Sequence, residues 1–396
     1  MTDLPAWQRK AHSIDAMRLL ARRALPRPVF DFADGGAETE WTLRRNESAF
    51  ASKALLPRPL QGAAQRDLST TLFGQRLSMP LMIGPTGLAG LFWPDGELCA
   101  ARAAAAAGTA YCLSHGSVCT IEELAALGTS PRWMQVFVYR DRGLTREFTD
   151  RAAAAGYHAL ILTIDNQLLG NRERDLRNGF GIPPRFTPSQ LLAMAPQLPW
   201  LWRMRNALPR LTMGSYVREG TREELSALAG RLASLLDPGL NWDDVRELRE
   251  RWRGPLLLKG VLHPDEARQA VALGVDGLIV SNHGGRQLDG AISSCEALPG
   301  IVAAVRPTHP ELPILIDGGI RRGADLVKAL AMGASAGLIG RPQLWGLAVA
   351  GEAGVSHVLE IYRREIDRTM GLLGTSSVDR IGPELLAHCA ELARDA

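Results

Sequence analysis

Short apolar runs recur along the chain, and most are followed by a segment with a helical pattern. Eight such runs lie at residues 80–84, 110–113, 133–138, 159–164, 255–258, 277–280, 313–316 and 336–339. The intervening segments, such as ELCAARAAAAAG and PDEARQAVALG, are rich in Ala, Leu, Glu and Arg and end in Gly, which commonly follows a helix. Near-continuous apolar strands that alternate with helices indicate a parallel sheet. The pattern predicts an α/β fold, a (β/α)₈ TIM barrel.

Polar residues follow every predicted strand, and barrel enzymes place their chemistry at these carboxyl ends. A doubly wound open sheet would instead concentrate such residues at one switch point. In chain order the predicted strand ends carry Thr86, Ser114, Gln135, Thr163 with Asp165, Lys259, Ser281 with His283 and Arg286, Asp317 with Gly318 and Gly319, and Gly340 with Arg341. We therefore expect one site that draws on all eight ends.

Two segments fall outside the βα rhythm. Residues 1–79 precede the first strand, with helical patterns over 6–23 and 27–50, and predict an N-terminal helical extension. Residues 166–254 are too long for one connecting helix and predict an insertion after the fourth strand. We expect residues 1–396 to form a single domain.

Composition excludes several classes of function. Hydrophobic content of 46%, charged content of 22% and a net charge of +3, without a basic block, are typical of a globular protein that does not bind nucleic acid. Five cysteines without a C-x-x-C pair indicate neither a metal site nor a disulfide framework. The N-terminus lacks the apolar core of a secretory signal, so we expect a cytoplasmic protein.

The last two strand ends read IDGGIRRGAD and LIGRP. Glycines there let backbone amides approach a phosphate, and Arg321 and Arg341 add positive charge, although turn glycines with solvated arginines explain the same letters. Lys259, at the end of a buried strand, needs either a compensating anion or a shifted pKa. Together these residues favour an anionic cofactor, and a flavin that becomes negative on reduction meets that need.

These motifs resemble the FMN-dependent (S)-2-hydroxy-acid oxidases and dehydrogenases. SNHGGRQLD at 281–289, LLLKG at 256–260 and LTID at 162–165 carry the resemblance, which runs from about residue 26 to about residue 374. The segments FDFADGGAETE at 30–40, PTGLAG at 85–90 and RERDL at 172–176, with Gly116, are most similar to the membrane-associated mandelate dehydrogenase branch. The resemblance implies FMN as cofactor and a homo-oligomer, a tetramer in the family.

The resemblance also implies residue roles. His283 would be the general base, with Asp165 orienting the imidazole and raising its pKa. Arg286 and Arg172 would hold the substrate carboxylate, although RERD could also be a solvated helix face. Lys259 would stabilise the reduced flavin. The remaining cofactor-binding residues would be Pro85, Thr86, Gly87, Ser114, Gln135, Thr163, Ser281, Asp317, Gly318, Gly319, Arg321, Gly340 and Arg341.

Three positions bear on the substrate. Phe32 and Phe137 stand where family members usually carry tyrosines, and Gly116 stands where glycolate oxidase has a bulky aromatic. Because two hydroxyls are missing and Gly116 leaves space, we expect a bulky or aromatic substrate such as mandelate. Glycine at position 87 goes with dehydrogenases that reduce a quinone. An oxygen-using oxidase of the lactate or glycolate type and a repurposed flavin barrel are the alternatives.

The insertion has an unusual composition at residues 185–218. It contains five arginines and no acidic residue, with Trp200 and Trp202 beside aliphatic residues. This composition suits contact with anionic lipid head groups, and the resemblance implies peripheral docking on the inner face of the cytoplasmic membrane. A lid over the site or a subunit contact would also suit it. We expect deletion of 188–215 to give a fully soluble protein that is still yellow.

Overall fold

The computed structural model describes residues 4–128, 131–179, 197–217 and 234–388. Eight parallel strands form the core of the structure: β4 Leu81–Ile83, β5 Tyr111–Leu113, β6 Arg132–Val136, β7 Ala159–Thr163, β8 Leu256–Val261, β9 Gly277–Val280, β10 Ile314–Ile316 and β11 Ala336–Ile339. They close into a barrel in the spatial order β10-β11-β4-β5-β6-β7-β8-β9, so the predicted TIM barrel is confirmed. The predicted runs at 277–280 and 336–339 coincide with β9 and β11, and the other six differ at one or both ends.

Helices follow the strands on the outside of the barrel. They are α5 Gly96–Ala106, α6 Ile121–Ala125, α7 Arg142–Ala154, α8 Glu173–Arg177, α9 Leu198–Met204, α10 Trp242–Arg251, α11 Pro264–Ala272, α12 Ser294–Val305, α13 Gly323–Ala331 and α14 Arg341–Leu373. Side-chain caps fix where several begin. Ser293, for example, accepts a hydrogen bond from the Glu296 amide, and the Glu296 carboxylate accepts one from the Ser293 amide.

A β-hairpin packs against the amino ends of the barrel strands. It consists of β2 Thr70–Leu72 and β3 Gln75–Leu77, and its turn residue Phe73 lies 5.6 Å from the Trp133 ring, between ring centroids. Leu72 and Leu77 belong to the same buried cluster as the inward-facing strand residues. This hairpin, which the sequence pattern did not reveal, covers the barrel end opposite to the strand ends that carry the polar residues.

The N-terminal extension forms four helices where two helical patterns were predicted. They are α1 Ala6–Lys10, α2 Ile14–Ala24, α3 Arg27–Asp34 and α4 Trp41–Ala51. Ser13 caps α2 by accepting a hydrogen bond from the Ala16 amide at 3.1 Å. At Gly36 an added Cβ would lie 2.8 Å from the Gly285 carbonyl oxygen, so glycine lets this link approach the loop that carries His283. A last short strand, β12 Leu386–His388, pairs with β1 Lys53–Leu55.

The predicted insertion separates β7 from β8. Within its described part, helix α9 packs against the barrel through Trp200, which is fully buried and donates its indole N–H to the Leu91 carbonyl at 3.2 Å. Residues 185–196 and 218 of the arginine-rich segment lie outside the described residues. In the part of the chain that the structure describes, we find no helix with the length and apolar character needed to cross a bilayer.

Candidate active site

A cavity of about 340 Å³ opens at the carboxyl ends of the barrel strands. It collects side chains from strands that are far apart in the sequence, as the strand-end pattern predicted. The predicted site residues that line it are Phe32, Pro85, Thr86, Gly87, Ser114, Gly116, Gln135, Phe137, Thr163, Arg172, Lys259, His283, Arg286, Asp317, Gly318, Gly319, Arg321, Gly340 and Arg341. Asp165 and Ser281 are not lining residues, but they contact the lining residues His283 and Lys259, respectively.

The loop after β9 holds His283 in an uncommon backbone conformation. Its φ is 58°, in the left-handed region that non-glycine residues rarely adopt, and the next two residues, Gly284 and Gly285, also have positive φ. At Gly285 an added Cβ would lie 2.5 Å from the Leu43 amide nitrogen. The two glycines therefore permit a tight turn that presents the imidazole to the cavity.

His283 is paired with a buried carboxylate. Its Nδ1 lies 2.9 Å from Oδ1 of Asp165, which follows β7. Burial raises the pKa of Asp165, but His283 and Lys259 outweigh burial, so the pKa of this carboxyl is lowered. Asp165 is thus ionised at neutral pH and accepts a hydrogen bond from Nδ1, which leaves Nε2 of His283 without a proton.

Asp165 contributes to the His283 pKa in the expected direction, but its contribution is not the largest. Asp165 raises the pKa, but burial lowers it more, and the positive charges of Lys259 and Arg172 add to the lowering. The net pKa lies below the ordinary value of 6.5. Desolvation of an imidazolium in this enclosed site outweighs a single carboxylate. His283 is consequently neutral at pH 7, the state that a general base requires.

Lys259 lies at the end of β8 between two acceptors. Its ammonium is 2.8 Å from Ser281 Oγ and 3.1 Å from Asp317 Oδ2. Burial lowers the pKa of Lys259, but Asp317 and Asp165 raise it more, so the side chain stays charged. Ser281, which was predicted to bond the flavin, is fully buried, and its hydroxyl accepts from Lys259 and from the His283 amide at 3.1 Å. Ser281 thus connects the Lys259 side chain to the main chain of His283.

Buried arginines make the cavity strongly cationic. Arg286 donates to the carbonyl oxygens of Phe32 at 2.7 Å and Gly35 at 3.1 Å, and burial with repulsion from Arg172 and Arg341 lowers its pKa well below 12.5. Burial likewise lowers the pKa of Arg172, whose buried Nε has no hydrogen-bond partner among the described residues. An anionic ligand would reduce the repulsion among these arginines and would accept a hydrogen bond from Arg172 Nε.

Arg341 and Arg321 were both predicted to hold the cofactor phosphate. The Arg341 guanidinium is occupied by three main-chain carbonyls, those of Ala33, Gly35 and Gly284, at 2.8–3.0 Å. Burial lowers its pKa to about 10. Its contacts thus tie the end of α3 to the loop after β9. Arg321 lines the cavity and pairs with Glu47 at 2.9 Å, so its charge is shared with a carboxylate.

The cavity fits a flavin because several of its buried polar atoms need a partner. Gln135 Nε2, Thr163 Oγ1 and Asp317 Oδ1 are buried and have no hydrogen-bond partner among the described residues. All three side chains line the cavity. A ligand with many oxygen and nitrogen atoms would satisfy them, as the dioxopyrimidine edge and ribityl chain of FMN would.

Two residues near the site escaped the sequence reasoning. Glu97, at the start of α5, is buried and accepts from the amides of Ala89 and Val118 at 2.9 Å, which joins the loops that carry Gly87 and Gly116. No sequence signal separates it from an ordinary first-turn glutamate. His115 lines the cavity directly after Ser114. A histidine at a barrel strand end was the signal that could have identified it.

The carboxyl ends of the barrel strands thus bring together a histidine paired with a carboxylate, a buried lysine and two buried arginines. This cationic site can hold an anionic ligand. The chain belongs to the FMN-dependent dehydrogenase family, whose model matches residues 21–388. It is therefore an FMN-dependent enzyme that oxidises 2-hydroxy acids, and the predicted family and cofactor are confirmed.

The names of similar proteins refer to two substrates, lactate and mandelate. The chain is 42% identical over 380 residues to an L-lactate dehydrogenase of Caulobacter vibrioides, a match that covers 94% of this chain and 96% of that protein. It is 44% identical over 371 residues to an L-lactate oxidase of a Nostoc species, covering 93% and 95%. Among solved structures, a monotopic membrane protein, (S)-mandelate dehydrogenase, matches with a TM-score of 0.91 and 38% identity, covering 95% of this chain and 99% of that one.

Proposed function

We propose that this enzyme oxidises an (S)-2-hydroxy acid with a bulky or aromatic side chain, such as mandelate, and passes the electrons to a quinone-type acceptor. The observation that carries the substrate proposal is the space at Gly116. A Cβ added there would meet only Gly87 Cα at 3.8 Å and Ser114 Oγ at 3.9 Å, which are ordinary contacts. The cavity nearby is lined by apolar side chains, among them Phe137, Leu169, Met213 and Leu236.

The residues suggest a division of tasks. Arg172 and Arg286 bind the substrate carboxylate and place C2 and its hydroxyl beside His283. His283 takes a proton from the substrate at Nε2, and Asp165 stabilises the imidazolium that results. Oxidation of the alcohol to a ketone releases two electrons and two protons; one proton goes to His283, and bound FMN would supply the acceptor for the electron pair and the second proton. Lys259, held by Asp317, supplies positive charge that favours negative charge on the reduced cofactor.

The substrate proposal is tested by following flavin absorbance in anaerobic mixtures with mandelate, lactate and glycolate. We expect bleaching by all three, with the highest kcat/KM for mandelate. In Gly116→Leu the added side chain fills the space, so mandelate turnover should fall by about 10-fold or more while lactate turnover changes little. Gly116→Ala is the matched control, because its single methyl fits. Better turnover of glycolate than of mandelate by the wild type contradicts the substrate proposal, and no bleaching by any acid would favour a repurposed flavin barrel.

The acceptor proposal rests on Gly87. A Cβ added at this position would lie 3.1 Å from the Gly116 carbonyl oxygen, a tight approach to main chain, so this wall is shaped for glycine. We expect slow peroxide release in air and fast reduction of a soluble quinone analogue after the substrate has bleached the flavin. Peroxide release at the rate of quinone reduction would favour the oxidase alternative, the activity named for the Nostoc relative.

We further propose that the inserted segment docks the enzyme on an anionic membrane surface. In its described part, Leu198 is 60% and Trp202 is 69% exposed, and Arg205 stacks on the Trp202 ring at 4.3 Å. Trp200, which was expected to lie at the membrane together with Trp202, is buried against the barrel instead. In this part, the residues that we propose face the membrane are therefore Leu198, Trp202 and Arg205.

The structure calls for a milder variant than the deletion of 188–215. That deletion would remove Trp200 and the cavity residue Met213, so loss of folding could imitate solubility. The double variant Leu198→Ser/Trp202→Ser changes only exposed side chains. We expect it to reduce sedimentation with vesicles containing anionic lipid while leaving flavin content unchanged, with Leu60→Ser, at an exposed site elsewhere, as control. Equal sedimentation of variant and wild type would contradict docking through this surface.

The homo-oligomer stays a prediction, which sedimentation velocity would test.

A further inference from the structure

One wall of the cavity combines the apolar ring of Phe137 with His115, a histidine that takes no part in the proposed proton transfer. Phe137 offers the substrate no hydrogen-bonding group, and His115 packs against it with ring centroids 4.3 Å apart. His115 follows β5 and Phe137 follows β6, which are neighbouring strands of the barrel. Both side chains line the cavity. The polar character of this wall therefore depends on the imidazole.

The Nδ1 edge of His115 is occupied by two phenols. Tyr216 Oη lies 2.5 Å and Tyr139 Oη 3.0 Å from Nδ1, and the two hydroxyls also contact each other. Neither tyrosine lines the cavity, so this edge of the ring faces away from it. Tyr216 belongs to the inserted segment, whereas Tyr139 follows β6. The cluster of His115, Tyr139 and Tyr216 thus ties the insertion to the cavity wall.

All three groups of this cluster are neutral at pH 7. Burial and the positive charge that His283 carries when protonated lower the pKa of His115 to about 3. Burial raises the pKa of both Tyr139 and Tyr216. The cluster therefore holds three mobile hydrogens, one on the imidazole and one on each phenol.

Counting these hydrogens selects one tautomer of the imidazole. If the ring hydrogen is on Nε2, one phenol donates to Nδ1 and the other donates to the first phenol, so every phenolic hydrogen has an acceptor. If the ring hydrogen is on Nδ1, that atom accepts nothing, and one phenolic hydrogen has no acceptor among the described residues. An unsatisfied buried donor costs about 1–3 kcal/mol. The tyrosines therefore favour the tautomer with N–H at Nε2.

Nε2 is available to a ligand. Among the described residues no group hydrogen-bonds to it, and it is not one of the fully enclosed polar atoms that lack a partner. We propose that His115 is a substrate-binding residue whose Nε2–H donates a hydrogen bond to an oxygen of the 2-hydroxy acid beside Phe137, and that Tyr139 and Tyr216 are positioning residues that together fix this tautomer. The proposal rests on the proposed function and adds to it a specificity-determining contact.

The test replaces the donor while keeping a ring. In His115→Phe, loss of one hydrogen bond to a charged substrate should raise KM for (S)-mandelate and weaken binding of its 2-oxo acid product by about 10- to 100-fold. Product binding is read directly from the shift in flavin absorbance. FMN content should not change, because the His115 side chain is not among the groups proposed to bind FMN, and the substitution leaves its main-chain bond to Gln135 in place. A KM and a product affinity within about twofold of the wild type overturn the proposal.

Two further variants separate a binding role from a structural one. Phe137→Tyr places a hydroxyl on the same wall, so it should restore product affinity in the His115→Phe background more than it improves the wild type. A purely structural loss would not be rescued in this way. Tyr139→Phe/Tyr216→Phe removes both phenols that donate to Nδ1, and with them the preference for N–H at Nε2, so it should weaken product binding by about 2- to 10-fold. This double variant also serves if His115→Phe does not fold, and unchanged product affinity in it then contradicts the proposal.

Failure of this inference is distinct from failure of the proposed function. If no 2-hydroxy acid bleaches the wild-type flavin, the proposed function is wrong. If the wild type is active and His115→Phe binds substrate and product equally well, only the assignment of His115 is wrong.

Discussion

Two histidines face the same cavity from opposite sides of the barrel. His283 follows β9 and His115 follows β5, four strands apart in either direction around the ring of eight. Burial lowers the pKa of both. The difference lies in the partner of Nδ1, which is the Asp165 carboxylate for His283 and two phenols for His115. A carboxylate stabilises the imidazolium, whereas phenols do not, so only His283 can accept a proton near neutral pH.

Of the changes to the two histidines and their partners, replacing His283 should have the largest effect on kcat. In His283→Asn the group that takes the substrate proton is lost, and we expect kcat to fall by about 10²- to 10⁴-fold. Flavin content and product binding should remain near the wild-type level. Stopped-flow measurement of anaerobic flavin bleaching isolates this step. Bleaching at an undiminished rate would show that another group is the base.

Changing the partner of His283 should have an intermediate effect. Asp165→Asn removes the charge that stabilises the imidazolium, and loss of a hydrogen bond to a charged group lowers kcat by about 10- to 100-fold. Because Asp165 raises the pKa of His283, its removal should also move the acid limb of the pH profile of kcat/KM to lower pH. In the wild type that limb should already lie below pH 6.5, since the base is lost only as pH falls through the lowered pKa.

The His115→Phe variant is the control for this pH measurement. His115 takes up no proton near neutrality, so its replacement should change affinity without moving the acid limb. A limb that moves to the same extent in Asp165→Asn and in His115→Phe would mean that the two histidines do not have separate roles.

The sequence was sufficient to predict the fold and most residues around the cavity, because both follow from local patterns. Strand periodicity and the polar residues after each strand predicted that His283, Lys259 and Arg286 lie on the same rim, whereas Arg172 was identified only by the resemblance to the family. The pKa of His283 could not be predicted, since it depends on how burial balances Asp165 against two positive charges. The contacts of Ser281 with Lys259 and of His115 with Tyr216 join residues distant in the chain, and no short pattern encodes them.

The last effect we predict is on stability rather than on catalysis, and it distinguishes a neutral His115 from a titrating one. As pH falls below about 6.5 the unfolded chain protonates this histidine, while the folded protein does so only near its lowered pKa of about 3. The stability that His115 contributes is therefore present above pH 6.5 and is lost progressively as pH falls. In His115→Phe the melting temperature should drop less than in the wild type between about pH 7 and about pH 4. His309→Phe, at an exposed site, is the control. Parallel melting curves for His115→Phe and the wild type across this range would mean that the folded cluster accepts a proton as readily as the unfolded chain does.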